Sequence, residues 1–249
     1  MKKAFTMLEL VFVIVVTGIV TLIIGSNFQR NTLQEAADQL ISHIRYTRHL
    51  AMTDDKYMPN SEMSPQANAA SKLLEANNWY LGRWQIRFSN AGGTISYLVM
   101  SDSTVSNYDG NPNASVTFSY SEVAKDTLEQ DKYLIGAVNG SFDGGSDLHI
   151  NRKLDLQATY GINAVSISGG GTGSIARRII FDYLGRPYRG DMALPNATHI
   201  NSPVDKLANS QITIKLCEEA PCTVPLNTAN NDKEVVIAIE PETGYTHIL

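Results

Sequence analysis

The chain opens MKKAFTMLELVFVIVVTGIVTLIIGSN, and across the twenty residues from Phe5 to Ile24 the only charge is Glu9. A helix built from such a run has no polar face, so it needs lipid or a protein core on every side. At 1.5 Å per residue, about 20 residues cross the roughly 30 Å hydrocarbon layer of a bilayer. Lys2 and Lys3 lie just before the run. The positive-inside bias therefore keeps the N-terminus in the cytoplasm and sends the remaining chain across. The run is longer than the core of a cleaved secretory signal, and Gly25-Ser26-Asn27-Phe28 is a poor small-residue cleavage site. A plain signal anchor accounts for everything except Glu9. A carboxylate at the bilayer centre costs about 2.5–3.5 kcal/mol, and less towards the interface.

The stretch Ala4-Phe5-Thr6-Met7-Leu8-Glu9-Leu10, followed by an apolar run containing Gly18, resembles the class III signal of type IV pilins and type II secretion pseudopilins. The resemblance implies cleavage between Ala4 and Phe5 by a prepilin peptidase on the cytoplasmic side, with N-methylation of Phe5. It also implies that Glu9 recruits subunits into a growing filament. Cleavage creates an ammonium at Phe5, and the ammonium of a neighbouring subunit can pair with Glu9; a paired charge in a low-dielectric medium is far less costly than a lone one. Ala4 stands where the family usually has Gly, and the proline that many major pilins carry late in this helix is absent, with Ser26 near its place. Gly18 is then the expected soft point, since Gly weakens a helix by about 1 kcal/mol relative to Ala.

The same resemblance supplies the expected organisation: a cytoplasmic leader at 1–4, a transmembrane and assembly helix at 5–25, an amphipathic continuation at 26–54 and a β-rich periplasmic head at 55–249. The implied location is the bacterial inner membrane, crossed once, and a filament after assembly. The implied partners are other pilin or pseudopilin subunits, the prepilin peptidase and an inner-membrane assembly platform. No cofactor and no enzymatic activity are expected.

Beyond the apolar run, Leu33, Ala37, Leu40, Ile44 and Ala51 recur at helical spacing or its multiples among Gln, Glu, Asp, His and Arg. This face is expected to pack on a sheet, with Arg45 and Arg48 read as a solvated face. Residues 54–78 are polar and broken by Pro59 and Pro65, with a short helix expected over 66–77. Strands separated by turn residues follow, at 83–88, 94–100, 115–120, 133–138, 147–156, 164–168, 175–182, 211–216, 234–239 and 245–249. A long helix followed by a run of strands reads as an α+β fold, the helix packed on antiparallel sheet. Three landmarks in this order resemble the pseudopilin H/FimT-like group: Trp84-Gln-Ile-Arg-Phe88, Arg178-Ile-Ile-Phe-Asp-Tyr-Leu-Gly185 and Val235-Val-Ile-Ala-Ile-Glu-Pro-Glu-Thr-Gly-Tyr245. The second half of the helix, Leu40 to Met52, resembles that group as well.

Composition bounds the chemistry. With 249 residues, 20 Lys+Arg against 25 Asp+Glu and a net charge of −5, the chain is not a general nucleic-acid binder, which would carry a basic excess. His43, His49, His149, His199 and His247 show no metal spacing, and no nucleophile elbow, P-loop or metalloprotease signature is present. Cys217 and Cys222 are spaced C-x4-C without a second pair; outside the cytoplasm they can bond to each other, the alternative being free thiols. Asp109-Gly-Asn-Pro-Asn113 and Asp143-Gly-Gly-Ser-Asp147 read as turns rather than cation loops, and Gly169–Gly173 as a hairpin tip. One basic concentration remains: Arg177, Arg178, Arg186 and Arg189, interleaved with Tyr183 and Tyr188. It supports an alternative reading as a DNA-binding minor pilin of an uptake system, against a plainer reading as strand-edge arginines paired with local carboxylates.

Overall fold

The computed structural model describes residues 6–27, 31–57, 60–64, 68–90, 93–102, 122–136, 148–171, 177–190, 206–222 and 233–249, without the side chains of 22–27 and 74. The chain divides into two compact units, residues 1–32 and 33–249.

The first unit holds α1, Met7–Asn27. Thr6 starts it as an N-cap: the Glu9 backbone N–H donates to Thr6 Oγ1 at 3.3 Å and to the Thr6 carbonyl at 3.1 Å. Thr at the cap and Glu three residues later form the sequence pattern of a capping box, and an acid in the first turn suits the helix dipole. The helix runs unbroken through Gly18, so the expected soft point is not expressed as a break.

The second unit is α+β. One antiparallel sheet has the order β2-β1-β4-β5, built from β1 Trp84–Ser89, β2 Ser96–Ser101, β4 Arg178–Phe181 and β5 Pro187–Arg189. The other has the order β3-β6-β7-β8, built from β3 Ala164–Gly169, β6 Ile212–Cys217, β7 Glu234–Ile239 and β8 Thr246–Ile248. In β6, Ile212, Ile214 and Leu216 are buried while Thr213 and Lys215 alternate with them, the pattern of a strand with one wet face. In β2 every residue is buried, because apolar groups cover both faces of that sheet.

A second helix, α2 Thr32–Thr53, supplies the stripe that closes the core. Leu33, Ala37, Leu40, Ile44 and Ala51 are buried as expected, and Ala36, Ile41 and Thr47 widen the stripe. All of these but Thr47 share one apolar cluster with Ile86, Phe88, Ile179 and Phe181 of the first sheet and with Ile212, Ile214, Leu216, Ile237 and Ile239 of the second. The sequence reading runs one helix from the apolar segment to residue 54. The structure instead gives two helical elements, with Asn31 outside both and residues 28–30 outside the described residues.

Arg45 and Arg48 are not a free solvated face. Arg45 Nη2 donates to the Thr246 carbonyl at 2.7 Å, and Arg48 Nε to the Gly185 carbonyl at 3.2 Å. Each guanidinium reaches the end of a different sheet, and the two bonds help fix α2 to both.

Among the smaller elements, α3 covers Ala69–Asn78, with Asn68 Oδ1 accepting from Ser71 N as its cap. Two expected strands are corrected. Residues 133–138 contribute only isolated bridges at Tyr133 and Ile135 among the described residues. The described part of 147–156 holds a 3-10 turn, Arg152–Leu154, leading into α4, Leu156–Tyr160. Asp155 caps that helix through Ala158 N, and Gly161 ends it at a φ of 74°, a start and stop signal that apolar alternation concealed. The strand expected at 115–120 and the loops at 109–113 and 143–147 lie outside the described residues.

Candidate functional site

From Met7 to Thr21 every side chain of α1 is exposed, including Leu8 at 83% and Phe12 at 68%. Apolar groups lie all round the helix, so water is a poor solvent for each of its faces. The two hydroxyls in this stretch are turned inward along the backbone. Thr17 Oγ1 donates to the Val13 carbonyl at 2.7 Å, and Thr21 Oγ1 to the Thr17 carbonyl at 2.7 Å. Satisfied in this way, neither hydroxyl asks for water, which suits a segment placed in an apolar medium. A Cβ at Gly18 would meet no atom within 4 Å, so that position is open to an approaching neighbour. Glu9 is the charge of this surface, one turn in from the start. Among the described residues no helix is long and apolar enough to cross a membrane. The described side chains of α1 end at Thr21, and Ala4 and Phe5 lie outside the described residues.

The four arginines of the basic segment do not form a common surface. Arg178 and Arg189 are buried. Arg178 Nη1 reaches Gln85 Oε1 at 3.4 Å. Arg189 donates to the carbonyls of Gly169 at 3.0 Å and Ile167 at 3.1 Å, tying the first sheet to the end of β3. Burial holds the Arg189 guanidinium below its ordinary pKa. Arg186 forms an ion pair with the buried carboxylate of Asp182 at 2.8 Å, and the hydrogen bond between them raises its pKa. Asp182 also accepts from Leu184 N, Arg186 N and Tyr188 Oη, so it organises the β4–β5 turn. Arg177 is exposed and donates to Asn90 Oδ1 at 2.6 Å. Tyr188 is buried under the Arg83 guanidinium, and of the two interleaved rings Tyr183 is the exposed one. Local folding therefore uses three of these cations, but only Arg186 is seen on a carboxylate, as the plainer reading expects; Arg178 reaches an amide oxygen and Arg189 backbone carbonyls.

Cys217 and Cys222 are joined by a disulfide that closes a loop at the end of β6. Among the described residues no group of three or more His, Cys, Asp or Glu side chains is placed to hold a metal ion. One polar cluster within the core escaped sequence reasoning. His43 Nδ1 lies 2.7 Å from Tyr97 Oη, which is fully buried, and Gln39 links Tyr97 to Tyr160 and to the Lys153 carbonyl. Burial lowers the His43 pKa to about 4 and raises that of Tyr97. With both groups neutral, the contact between Tyr97 Oη and His43 Nδ1 is a neutral hydrogen bond whose donor is set by the imidazole tautomer. Compared with family models, with curated proteins and with solved structures, the chain finds no match.

Proposed function

We propose that this chain is a minor pilin or pseudopilin, cut by a prepilin peptidase between Ala4 and Phe5 and built into a type IV pilus or a type II secretion-like filament. The observation that carries the reading is α1: a continuous helix, apolar and exposed on all sides from Met7 to Thr21, with Glu9 in its first turn. Such a surface is stable against lipid or against copies of itself, and a filament subunit needs both in succession. In the membrane, Glu9 pairs with the ammonium of a neighbouring Phe5, which offsets the desolvation of both charges. The second unit is the periplasmic head, and no catalytic group enters this reading. The assembly platform in the inner membrane would draw the subunit into the filament.

Intact-mass measurement of the protein from an envelope fraction tests processing. The expected mass is that of a chain starting at N-methylated Phe5; a chain retaining Met1 overturns it. The DNA-uptake alternative rests on Arg177, Arg178, Arg186 and Arg189, and the burial or pairing of three of them leaves it little support.

A further inference from the structure

The second unit carries a pocket of about 350 Å³ that no part of the assembly reading uses. It opens beside the C-terminal end of α2 and is walled by Tyr57, Trp79, Trp84 and Tyr183, with Ala51 and Phe181 in its lining. The rings are held in place. Trp84 Nε1 donates to Asp54 Oδ2 at 2.8 Å, and Trp79 meets Tyr57 edge-on with ring centres 5.1 Å apart. Trp84 is partly exposed, and Tyr57 and Tyr183 are exposed at 54% and 61%, so large apolar rings face solvent around a concave space.

The polar groups of the pocket are balanced. Asp54 and Asp55 face Lys56 and Arg83, two carboxylates against two cations. Asp54 pairs with Lys56 at 2.8 Å, whereas Arg83 Nη1 has no hydrogen-bond partner among the described residues while its guanidinium lies over Tyr188. A buried donor left without an acceptor is costly, and an incoming oxygen removes that cost.

We infer that this pocket binds a neutral saccharide of one or two rings. A pyranose offers an apolar C–H face that lies flat on aromatic rings, and its rim of hydroxyls both donates to carboxylates and accepts from a guanidinium. The volume is at the lower end of ligand pockets, which suits a small sugar. An anionic ligand gains little here, because Asp54 and Asp55 cancel the attraction of Lys56 and Arg83. A purely apolar side chain would leave Arg83 Nη1 unpaired.

Trp79 and Trp84 are the chain's two tryptophans, so intrinsic fluorescence reports on this pocket directly. The full chain in a zwitterionic detergent is titrated with cellobiose, lactose and N,N′-diacetylchitobiose, and with glucuronate and the blocked peptide acetyl-Pro-Leu-amide for comparison. The expected result is a saturable emission change with at least one neutral disaccharide, at a Kd of about 1 mM. Arg83→Gln and Tyr183→Ala should each weaken it at least about tenfold with an unchanged far-ultraviolet circular dichroism spectrum. Tyr183 sits exposed on a turn, so its variant carries the test if Arg83→Gln unfolds. No saturable change with any neutral disaccharide overturns the inference, as does saturation by glucuronate or the peptide alone, or undiminished binding by folded variants. None of these outcomes bears on filament assembly.

Discussion

Arg48 Nε donates to the carbonyl of Gly185 across 3.2 Å, joining α2 to the turn between β4 and β5. Gly244, in the turn between β7 and β8, sits against the same two residues. A Cβ there would lie 2.3 Å from the Gly185 carbonyl oxygen and 3.1 Å from Arg48 Nε. One arginine and two glycines thus gather the helix and a turn from each sheet at one point.

Both glycines have positive φ, 76° at Gly185 and 64° at Gly244, so alanine is strained at either. At Gly185 the obstructing atoms are Arg48 Nε and Met52 Sδ, which can move. At Gly244 the obstacle is backbone. Gly185→Ala is expected to cost about 1–2 kcal/mol and Gly244→Ala about 3 kcal/mol or more. Urea unfolding of the two variants checks the order, and equal losses would refute this account of the junction.

His43 makes stability depend on pH. The unfolded chain takes up a proton near the ordinary value of 6.5, whereas burial keeps the folded histidine neutral down to about 4. The nearby Asp126 opposes this shift and Lys153 reinforces it. The unfolded state binds more protons between these values, so the stabilising contribution is full above about pH 6.5 and falls as pH drops towards 4. Melting temperatures at about pH 7 and about pH 5 should differ less in His43→Gln than in the parent. An identical pH difference in both proteins would show that His43 is not the responsible group.

The disulfide between Cys217 and Cys222 spans a separation of five residues. So short a loop predicts only about 2 kcal/mol of stabilisation by the loop-entropy relation. Reduction should lower the melting temperature by several degrees without unfolding the chain at room temperature, as followed by far-ultraviolet circular dichroism. Complete unfolding on reduction would mean that the bond carries more than its loop.

Glu9 has two roles to separate, because it is both the charge of α1 and the third residue after the Thr6 cap. Glu9→Gln keeps a side chain suited to the capping box and removes the charge. Both Glu9→Gln and Glu9→Ala are expected to insert into membranes and to be lost from sheared filaments. If Glu9→Gln assembles normally while Glu9→Ala does not, capping rather than charge pairing is the requirement.

Arg189→Ala should destabilise by about 2 kcal/mol, since the carbonyls of Gly169 and Ile167 lose their donor. Arg177→Ala, on the surface, should stay within about 0.5 kcal/mol of the parent. Duplex DNA titrated at two salt concentrations should reveal no salt-sensitive binding that depends on Arg186. Such binding would revive the uptake reading.

Much of this was legible locally. The α2 stripe and the strand at β6 follow from side-chain period, which neighbouring residues set by themselves. The strand expected at 147–156 shows the limit: Ile150, Leu154 and Leu156 alternate in part, yet Asp155 and Gly161 cap a helix there. The short β5, Pro187–Arg189, was missed because it has three residues and no period to read.

By itself the sequence determined an apolar N-terminal helix with one carboxylate, and an α+β chain whose polar and apolar residues alternate in strands. Those properties depend on side chains within a few positions of one another. Only the tertiary structure decided that the described strands divide into two sheets and that Arg189 is bound to carbonyls twenty residues away. It also decided that Tyr57, Trp79 and Tyr183 share a pocket. Which groups meet across long stretches of chain is set by how the sheets pack around α2, and no local pattern records that.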